Sequence, residues 1–154
     1  MIKIRLATVE DAEIIAQFQT EMAYETENIL LDRETVETGV KSVFYDPKKG
    51  KYFVAETEDH LVVASLLLTP EWSDWRNKWV WWIQSVYVTP HYRGQKIFKK
   101  MYEYVKKLIL EDPEAAGLRL YVDVSNSTAR SVYKAVGMNG EHYQVFEWMK
   151  EENS

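Results

Sequence analysis

A run of aromatic and β-branched residues near the middle of the chain is the feature that most constrains the fold. Residues from Trp79 to Val88 are almost all of these types, a composition that favours a central strand of a sheet. Beyond Pro90 and Gly94, apolar residues recur at helical spacing from Ile97 to Ile109. A central strand that leads through a turn into an amphipathic helix predicts an α/β layer structure.

The rest of the chain adds elements that predict a mixed sheet. Alternating apolar residues from Ile2 to Leu6 predict a first strand. Helical spacing predicts two helices, one after Thr8 and one from Asp32 to just before Pro47. Further elements are predicted as strands over Lys51–Thr57, Leu61–Thr69, Leu118–Val124 and Tyr143–Met149, and as a short helix over Ser127–Val136. The predicted order is β-α-α-β-β-β-α-β-α-β, and residues 1–154 are expected to form a single domain.

The composition disfavours several classes of protein. The chain has no cysteine, which excludes disulfides, thiolate metal sites and a cysteine nucleophile. Its three histidines lack the spacing of zinc ligands, so no metal is expected. No apolar run reaches the roughly 18 residues of a membrane span, and we expect a cytoplasmic protein without a membrane partner. A net charge of −5 argues against nucleic acid as a partner.

Charge is nevertheless segregated along the chain. Between Val9 and Glu37 there are nine carboxylates and one base, Arg33, whereas between Arg93 and Lys107 there are six bases and one acid. One interpretation is two solvated helix faces, as for most charge runs. The other is a region for a cationic ligand and a region for an anionic one.

The segment from Ser85 to Phe98 is predicted to run from a strand through a tight turn into the start of a helix. A helix N-terminus offers unpaired N–H groups and a partial positive charge, which together suit a phosphate. The first helical turn here is also basic. An ordinary strand-to-helix connection explains the same pattern equally well, so the segment alone leaves both interpretations open.

A second segment, from Asn126 to Gly137, follows a predicted strand directly. Asn126 is suited to cap a helix, and Tyr133 lies seven residues later, two helical turns on and on the same side. A tyrosine on a short helix is usually half-buried packing. A functional role for Tyr133 therefore needs support from the rest of the chain.

Together the two segments resemble the GCN5-related N-acetyltransferase (GNAT) family. Its cofactor signature is Gln/Arg-x-x-Gly-x-Gly/Ala after a central strand, with Asn-x-x-Ala-x-x-x-Tyr later. The second pattern matches at Asn126, Ala129 and Tyr133. The first matches at Arg93, while Lys96 and Phe98 stand where the family usually has glycine and glycine or alanine. The order of predicted elements extends the resemblance over nearly the whole chain.

The resemblance implies a GNAT-like acyl-CoA N-acyltransferase fold with acetyl-CoA as co-substrate. In the family the central strand and the following strand diverge, and the pantetheine arm lies between them. The cofactor-binding residues that this implies are Val86, Tyr87 and Val88 along the arm, Arg93, Gly94, Gln95, Lys96, Ile97, Phe98 and Lys99 around the pyrophosphate, and Asn126 near the arm. We expect Lys96 and Phe98 to adopt helical geometry, and the Lys96 ammonium to contact phosphate.

The implied reaction is direct attack of a primary amine on the thioester. A backbone N–H near Val86 is expected to stabilise the oxyanion, and Tyr133 to protonate the departing thiolate. Many relatives carry a glutamate base on the central strand, where this chain has Gln84. Glu25 is our candidate base. Glu21, Glu27, Asp123, a water relay and an amine that is already neutral stay open as alternatives.

The acceptor is expected to be a small-molecule amine, and the acidic region favours a cationic one. The tryptophan-rich segment from Glu71 to Asn77 is predicted as a loop, either over the acceptor or as the contact of a homodimer. The dimer interpretation is preferred. A rival function is a non-catalytic coenzyme A-binding or regulatory module of the same fold, which Lys96, Phe98 and Gln84 favour and Tyr133 disfavours.

Overall fold

The computed structural model describes residues 1–150, which form two compact units. The first unit is Met1–Arg119, and the second begins at Leu120. Each unit is described by itself below. The expectation that residues 1–154 form a single domain stays a prediction.

The first unit is built on a mixed sheet of five strands in the order β1-β2-β3-β4-β5. Adjacent strands from β1 to β4 are antiparallel, and β5 is parallel to β4. The strands are β1 (Lys3–Leu6), β2 (Lys51–Glu56), β3 (Val62–Ser73), β4 (Lys78–Val88) and β5 (Ala115–Arg119). The α/β class and the mixed sheet predicted from the sequence are confirmed.

Three helices belong to this unit: α1 (Ala12–Glu27), α2 (Arg33–Tyr45) and α3 (Ile97–Glu111). The Asp32 carboxylate caps α2 by accepting a hydrogen bond from the Thr35 N–H at 3.0 Å. Asn28 ends α1 in the left-handed conformation, with a φ of 55°, a conformation that asparagine tolerates better than most residues. Local signals thus define these helix boundaries, as expected.

The sheet is covered by helices on both faces, as the alternation along β2 shows. Tyr52 and Val54 belong to a buried cluster with Ile15 of α1 and Val40 of α2. Phe53, between them, points the other way because successive strand side chains alternate, and its ring packs on Tyr104 of α3 at 5.8 Å between centroids. Strand β2 is therefore buried on both faces, and α1 and α3 lie on opposite sides of it.

The hairpin that joins β3 to β4 corrects the prediction of a loop from Glu71 to Asn77. Strand β3 continues to Ser73, so only residues 74–77 form the turn. Trp72 pairs with Trp79 across the hairpin, and their rings meet edge to face at 5.0 Å between centroids. Such aromatic cross-strand pairs stabilise a hairpin. The polar residues of this segment predicted a loop, and no pattern in the sequence indicated the pairing.

Strand β5 lies earlier than the predicted strand Leu118–Val124, which overlaps it only at Leu118 and Arg119. The last pair between β4 and β5 joins Trp82 to Arg119. Residues 120–124, although rich in strand-forming side chains, form no strand in the described structure. Strand propensity acts only where a neighbouring strand supplies hydrogen-bond partners, so the prediction was wrong there.

The second unit contains one helix within the described residues, α4 (Ser127–Ala135), as predicted. Gly137 follows it with a φ of 95°, the left-handed conformation that glycine adopts most readily. The predicted last strand Tyr143–Met149 is wrong, because these residues form no strand in the part of the chain described. Phe146 is 89% exposed. Aromatic composition alone does not make a strand where no ladder forms.

Candidate active site

Strand β4 carries a bulge at the point where the oxyanion donor is expected. Gln84 pairs with Leu67 and Tyr87 pairs with Ser65, so Ser85 and Val86 both lie opposite Leu66. Ser85 has a φ of 52°. A bulge interrupts the hydrogen-bond ladder and redirects the strand. The bulge was not predicted, although Gln84 and Ser85 are the two polar residues in an otherwise apolar and aromatic run.

Strand β4 also continues past the end of its pairing with β5. The last pair is Trp82 with Arg119, whereas β4 extends to Val88. Strand β5 ends at Arg119, so within the described structure the edge of β4 from Ile83 to Val88 has no β5 residues paired with it. The divergence of the two strands that the resemblance implies stays a prediction.

The turn after β4 has backbone geometry unlike that expected for Lys96. Gly94 has a φ of 78°, and Lys96 lies in the left-handed region with a φ of 63° and a ψ of 26°. Helix α3 begins only at Ile97, so Phe98 is helical as predicted, but the expectation of helical geometry for Lys96 is wrong. The left-handed conformation costs an L-residue about 1–2 kcal/mol. Glycine at this position of the signature avoids that cost.

The first residues of α3 are arranged to attract an anion. No side chain in the described part of the chain caps this helix, so the N–H groups of Ile97, Phe98 and Lys99 lack partners from their own helix. Lys96 and Lys99 are exposed beside them. We call residues 96–99 the α3 start. Its N–H groups, its helix dipole and its two ammonium groups all favour a phosphate.

Arg93, the residue that matches the first signature, is directed toward other protein groups. Its Nε–H donates to the Val88 carbonyl oxygen at 2.8 Å, and Nη2 donates to Glu25 Oε2 at 2.7 Å. The guanidinium carbon also lies 5.4 Å from the centre of the Tyr87 ring, within the range of a cation–π contact. The sequence predicted Arg93 and Glu25 as site residues without predicting that they pair.

Tyr87 lies at the centre of this network. Its hydroxyl is 3.2 Å from Glu21 Oε2 and 3.2 Å from Glu25 Oε1, as donor to the two carboxylates. The ring is only 4% exposed and packs on Phe18. Burial, with a smaller contribution from the two carboxylates, raises the pKa of Tyr87 to about 12. The phenol is therefore neutral at physiological pH and donates its one hydrogen to one carboxylate at a time.

Gln84 points to a different partner. Its amide Nε2 donates to the Thr69 hydroxyl on the neighbouring strand β3. An amide cannot act as a proton acceptor in catalysis, so the position that carries a glutamate in many relatives has a positioning role here at most. The base must come from elsewhere or from solvent.

Two predicted site residues lie in the second unit. Asn126 Oδ1 accepts a hydrogen bond from the Ala129 N–H at 3.0 Å, which confirms its role as the cap of α4. Tyr133 lies on the same helix, and burial raises the pKa of its hydroxyl above the ordinary value. Asp123, an alternative base, accepts hydrogen bonds from Ser125, and these hold its pKa below the usual range.

Three features are typical of an acyltransferase fold: the sheet order, the extension of β4 past its pairing with β5, and the uncapped, basic α3 start. The model of the acetyltransferase (GNAT) family matches residues 12–138, most of the chain. The protein belongs to this family, and the family suggested by the two sequence signatures is confirmed.

Solved structures agree with this assignment. A possible acetyltransferase from Clostridium difficile 630 is 39% identical, with a TM-score of 0.90 over 99% of both chains. A predicted acetyltransferase with acetyl-CoA from Clostridium acetobutylicum shares the fold at 16% identity, with a TM-score of 0.74 over 96% of both chains. An aminoglycoside acetyltransferase from an uncultured soil metagenomic sample, in complex with sisomicin, does so at 18% identity, with a TM-score of 0.77 over 98% of this chain and 97% of that one.

No curated protein matches the chain. Among the helices of residues 1–150, none combines the length and the apolar character needed to cross a membrane.

Proposed function

We propose that the protein is an acetyl-CoA-dependent N-acetyltransferase that acetylates a primary amine of a small cationic acceptor. The observation that carries the proposal is the course of β4. The strand bulges at Ser85, leaves its pairing with β5 and leads into the α3 start. Each of these features serves one part of a thioester co-substrate.

The α3 start and the turn before it would hold the pyrophosphate. The N–H groups of residues 97–99 donate to phosphate oxygens, and the Lys96 and Lys99 ammonium groups add charge. Gly94 has no side chain and so allows the backbone to approach closely, and Gln95 follows it in the same turn. The free edge of β4, at Val86, Tyr87 and Val88, would pair with the amides of the pantetheine arm, and such pairing requires no particular side chain.

The bound co-substrate supplies an activated acetyl group as a thioester. The acceptor amine forms a bond to the acetyl carbon, the carbon–sulfur bond breaks, and the amine loses a proton. The N–H of Val86, at the bulge, stabilises the negative charge that develops on the acetyl oxygen. Tyr133 gives its proton to the departing thiolate and regains one from solvent, while the proton that the amine loses passes to the base or to water. The phenol is protonated before the reaction, as at its ordinary pKa, and burial raises that pKa further.

The base predicted from sequence is Glu25. In this structure both of its carboxylate oxygens already accept hydrogen bonds, Oε2 from Arg93 and Oε1 from Tyr87. Glu25→Gln tests the prediction. If Glu25 is the base, turnover measured at saturating acetyl-CoA falls, whereas a water relay or a neutral amine would leave turnover at saturation intact.

The cationic character of the acceptor follows from charge. The Glu21 and Glu25 carboxylates both lie at the Tyr87 hydroxyl, and the single guanidinium of Arg93 balances only one of their two negative charges. Further carboxylates lie in α1 and α2. A negative region raises the local concentration of cations. A cytoplasmic location and a homodimer that uses Trp75, which is 90% exposed, complete the proposal.

The experiment measures acetyl-CoA binding by calorimetry and thiol release from acetyl-CoA with a panel of polyamines, aminoglycosides and amino acids. We expect binding, and release that depends on the acceptor. The second candidate, a non-catalytic coenzyme A-binding module, is favoured by Gln84 at the usual base position and by the strained Lys96. Binding without release for any amine would support that candidate instead.

A further inference from the structure

Arg93 joins three parts of the first unit. Its side chain starts in the turn between β4 and α3, donates back to the Val88 carbonyl oxygen of β4, and reaches Glu25 in the last turn of α1. Its guanidinium also lies over the Tyr87 ring. The contacts come from different elements and involve different nitrogens of one planar group, so together they fix both its position and its orientation.

Release of Arg93 toward a phosphate would leave Glu25 poorly paired. The remaining donor is the Tyr87 hydroxyl, which has one hydrogen and faces both Glu21 and Glu25 at 3.2 Å. Glu21 also accepts a hydrogen bond from Gln17, so Glu25 would be the carboxylate left with only this shared donor. Two carboxylates that face one hydroxyl repel each other, and a partly buried carboxylate without its cation is costly. The ion pair at 2.7 Å is the favourable arrangement.

We infer that Arg93 is a positioning residue for coenzyme A, held by Glu25, and that it does not bind phosphate itself. This inference rests on the proposed function, since it presumes that the α3 start binds the pyrophosphate. Arg93 fixes the turn that carries Gly94 and the left-handed Lys96, and this turn sets the direction of the N–H groups of α3. Glu25, which lies in α1, then contributes to coenzyme A affinity by holding Arg93.

The two roles of Arg93 predict opposite effects of Glu25→Gln. If Arg93 is a phosphate ligand, Glu25 competes with phosphate for it, and the substitution frees Arg93 and tightens coenzyme A binding. The loss of a negative charge near an anionic ligand acts in the same direction. If Arg93 positions the turn, the substitution weakens binding although a negative charge has been removed.

The experiment measures the dissociation constant of coenzyme A by calorimetry for wild type, Glu25→Gln, Arg93→Met, the double variant and Arg93→Lys. We expect each single substitution to raise the constant about fivefold, and the double variant to be no worse than either single one, because coupled residues are not additive. Arg93→Lys should resemble Arg93→Met, since lysine keeps the charge but cannot hold Val88 and Glu25 together. A purely structural role would not give this coupling in affinity.

Glu27→Gln is the matched control. Glu27 is the last residue of α1 and, in the described structure, forms no ion pair with Arg93, so its substitution removes the same charge without the contact. We expect its coenzyme A affinity to be unchanged or slightly higher. If Glu25→Gln behaves like Glu27→Gln, the inference is wrong.

The outcomes separate the two proposals. Arg93 and Glu25 are partly exposed, at 47% and 36% of their side chains, so their variants are expected to fold, and melting curves check this. If Glu25→Gln unfolds, the test rests on Arg93→Lys. A coenzyme A affinity of Arg93→Lys near that of wild type contradicts the inference, and a loss of affinity like that of Arg93→Met supports it. Wild-type protein that does not bind coenzyme A contradicts the proposed function itself.

Discussion

Two helices of the molecule begin in contrasting ways. Helix α4 is capped by Asn126, whose side chain accepts a hydrogen bond from the Ala129 N–H. Helix α3 begins after a left-handed Lys96, without a side-chain cap in the described residues and with ammonium groups beside it. A cap satisfies the N–H groups that an anion would otherwise bind. Helix α3, unlike α4, therefore has the free N–H groups that the proposed function needs for phosphate, and the role proposed for α4 is that of Tyr133.

The largest effect is expected at Tyr133. If α4 contributes the acid, Tyr133→Phe should lower turnover at least tenfold, because the thiolate then leaves without a positioned proton donor. Coenzyme A affinity should stay as in wild type, since in the proposed function the phosphates bind at α3. Steady-state kinetics and calorimetry measure the two quantities. Unchanged turnover would remove Tyr133 from the mechanism.

The next largest effect is expected at the α3 start. Lys96→Ala should raise the dissociation constant of coenzyme A about fivefold at low salt and less at high salt, because an exposed charge contact is screened. Lys134→Ala, which removes a lysine from the last turn of α4, is the matched control and should leave this constant unchanged. Equal constants for Lys96→Ala and wild type at low salt would show that the ammonium does not contact phosphate.

A smaller effect is expected at the cap of α4. Asn126→Ala should lower the free energy of unfolding by about 1 kcal/mol, because the Ala129 N–H loses its partner. Asn126→Asp keeps an accepting oxygen and should retain most of this stability. Denaturant unfolding measures both. If Asn126→Asp keeps stability but weakens coenzyme A binding, the predicted second role of Asn126 near the pantetheine arm gains support.

The smallest effect concerns the backbone of Lys96. Lys96→Gly should give a higher free energy of unfolding than Lys96→Ala, by up to about 1 kcal/mol, since glycine adopts the left-handed conformation without steric cost. Both variants lack the ammonium group, so their difference isolates the backbone. Equal stabilities would contradict the strain assigned to Lys96.

The parts of the site that the sequence predicted are local in the chain. The strand from Trp79 and the helix cap at Asn126 follow from spacing and residue type within a few positions. The bulge at Ser85 depends on the register with β3, and the pair of Arg93 with Glu25 joins residues far apart in sequence. No local pattern specifies such contacts, so they could be found only in three dimensions.

The errors in the predicted fold have the same physical origin. The hairpin around Trp72 forms strands where polar residues predicted a loop, because a partner strand is present. Residues 143–149 form no strand in the described structure despite their aromatic composition. Strand formation depends on pairing more than on propensity. The family signatures compensated for this, because they identified the fold without a correct final strand.

The central claim is transfer of an acetyl group to an amine, and mass spectrometry of the acceptor tests it most directly. Each amine of the panel is incubated with acetyl-CoA and wild-type protein, and in parallel with Tyr133→Phe. The account predicts a product heavier by one acetyl group on nitrogen for at least one cationic amine, formed much more slowly by the variant. Tight acetyl-CoA binding without an acetylated amine would contradict it.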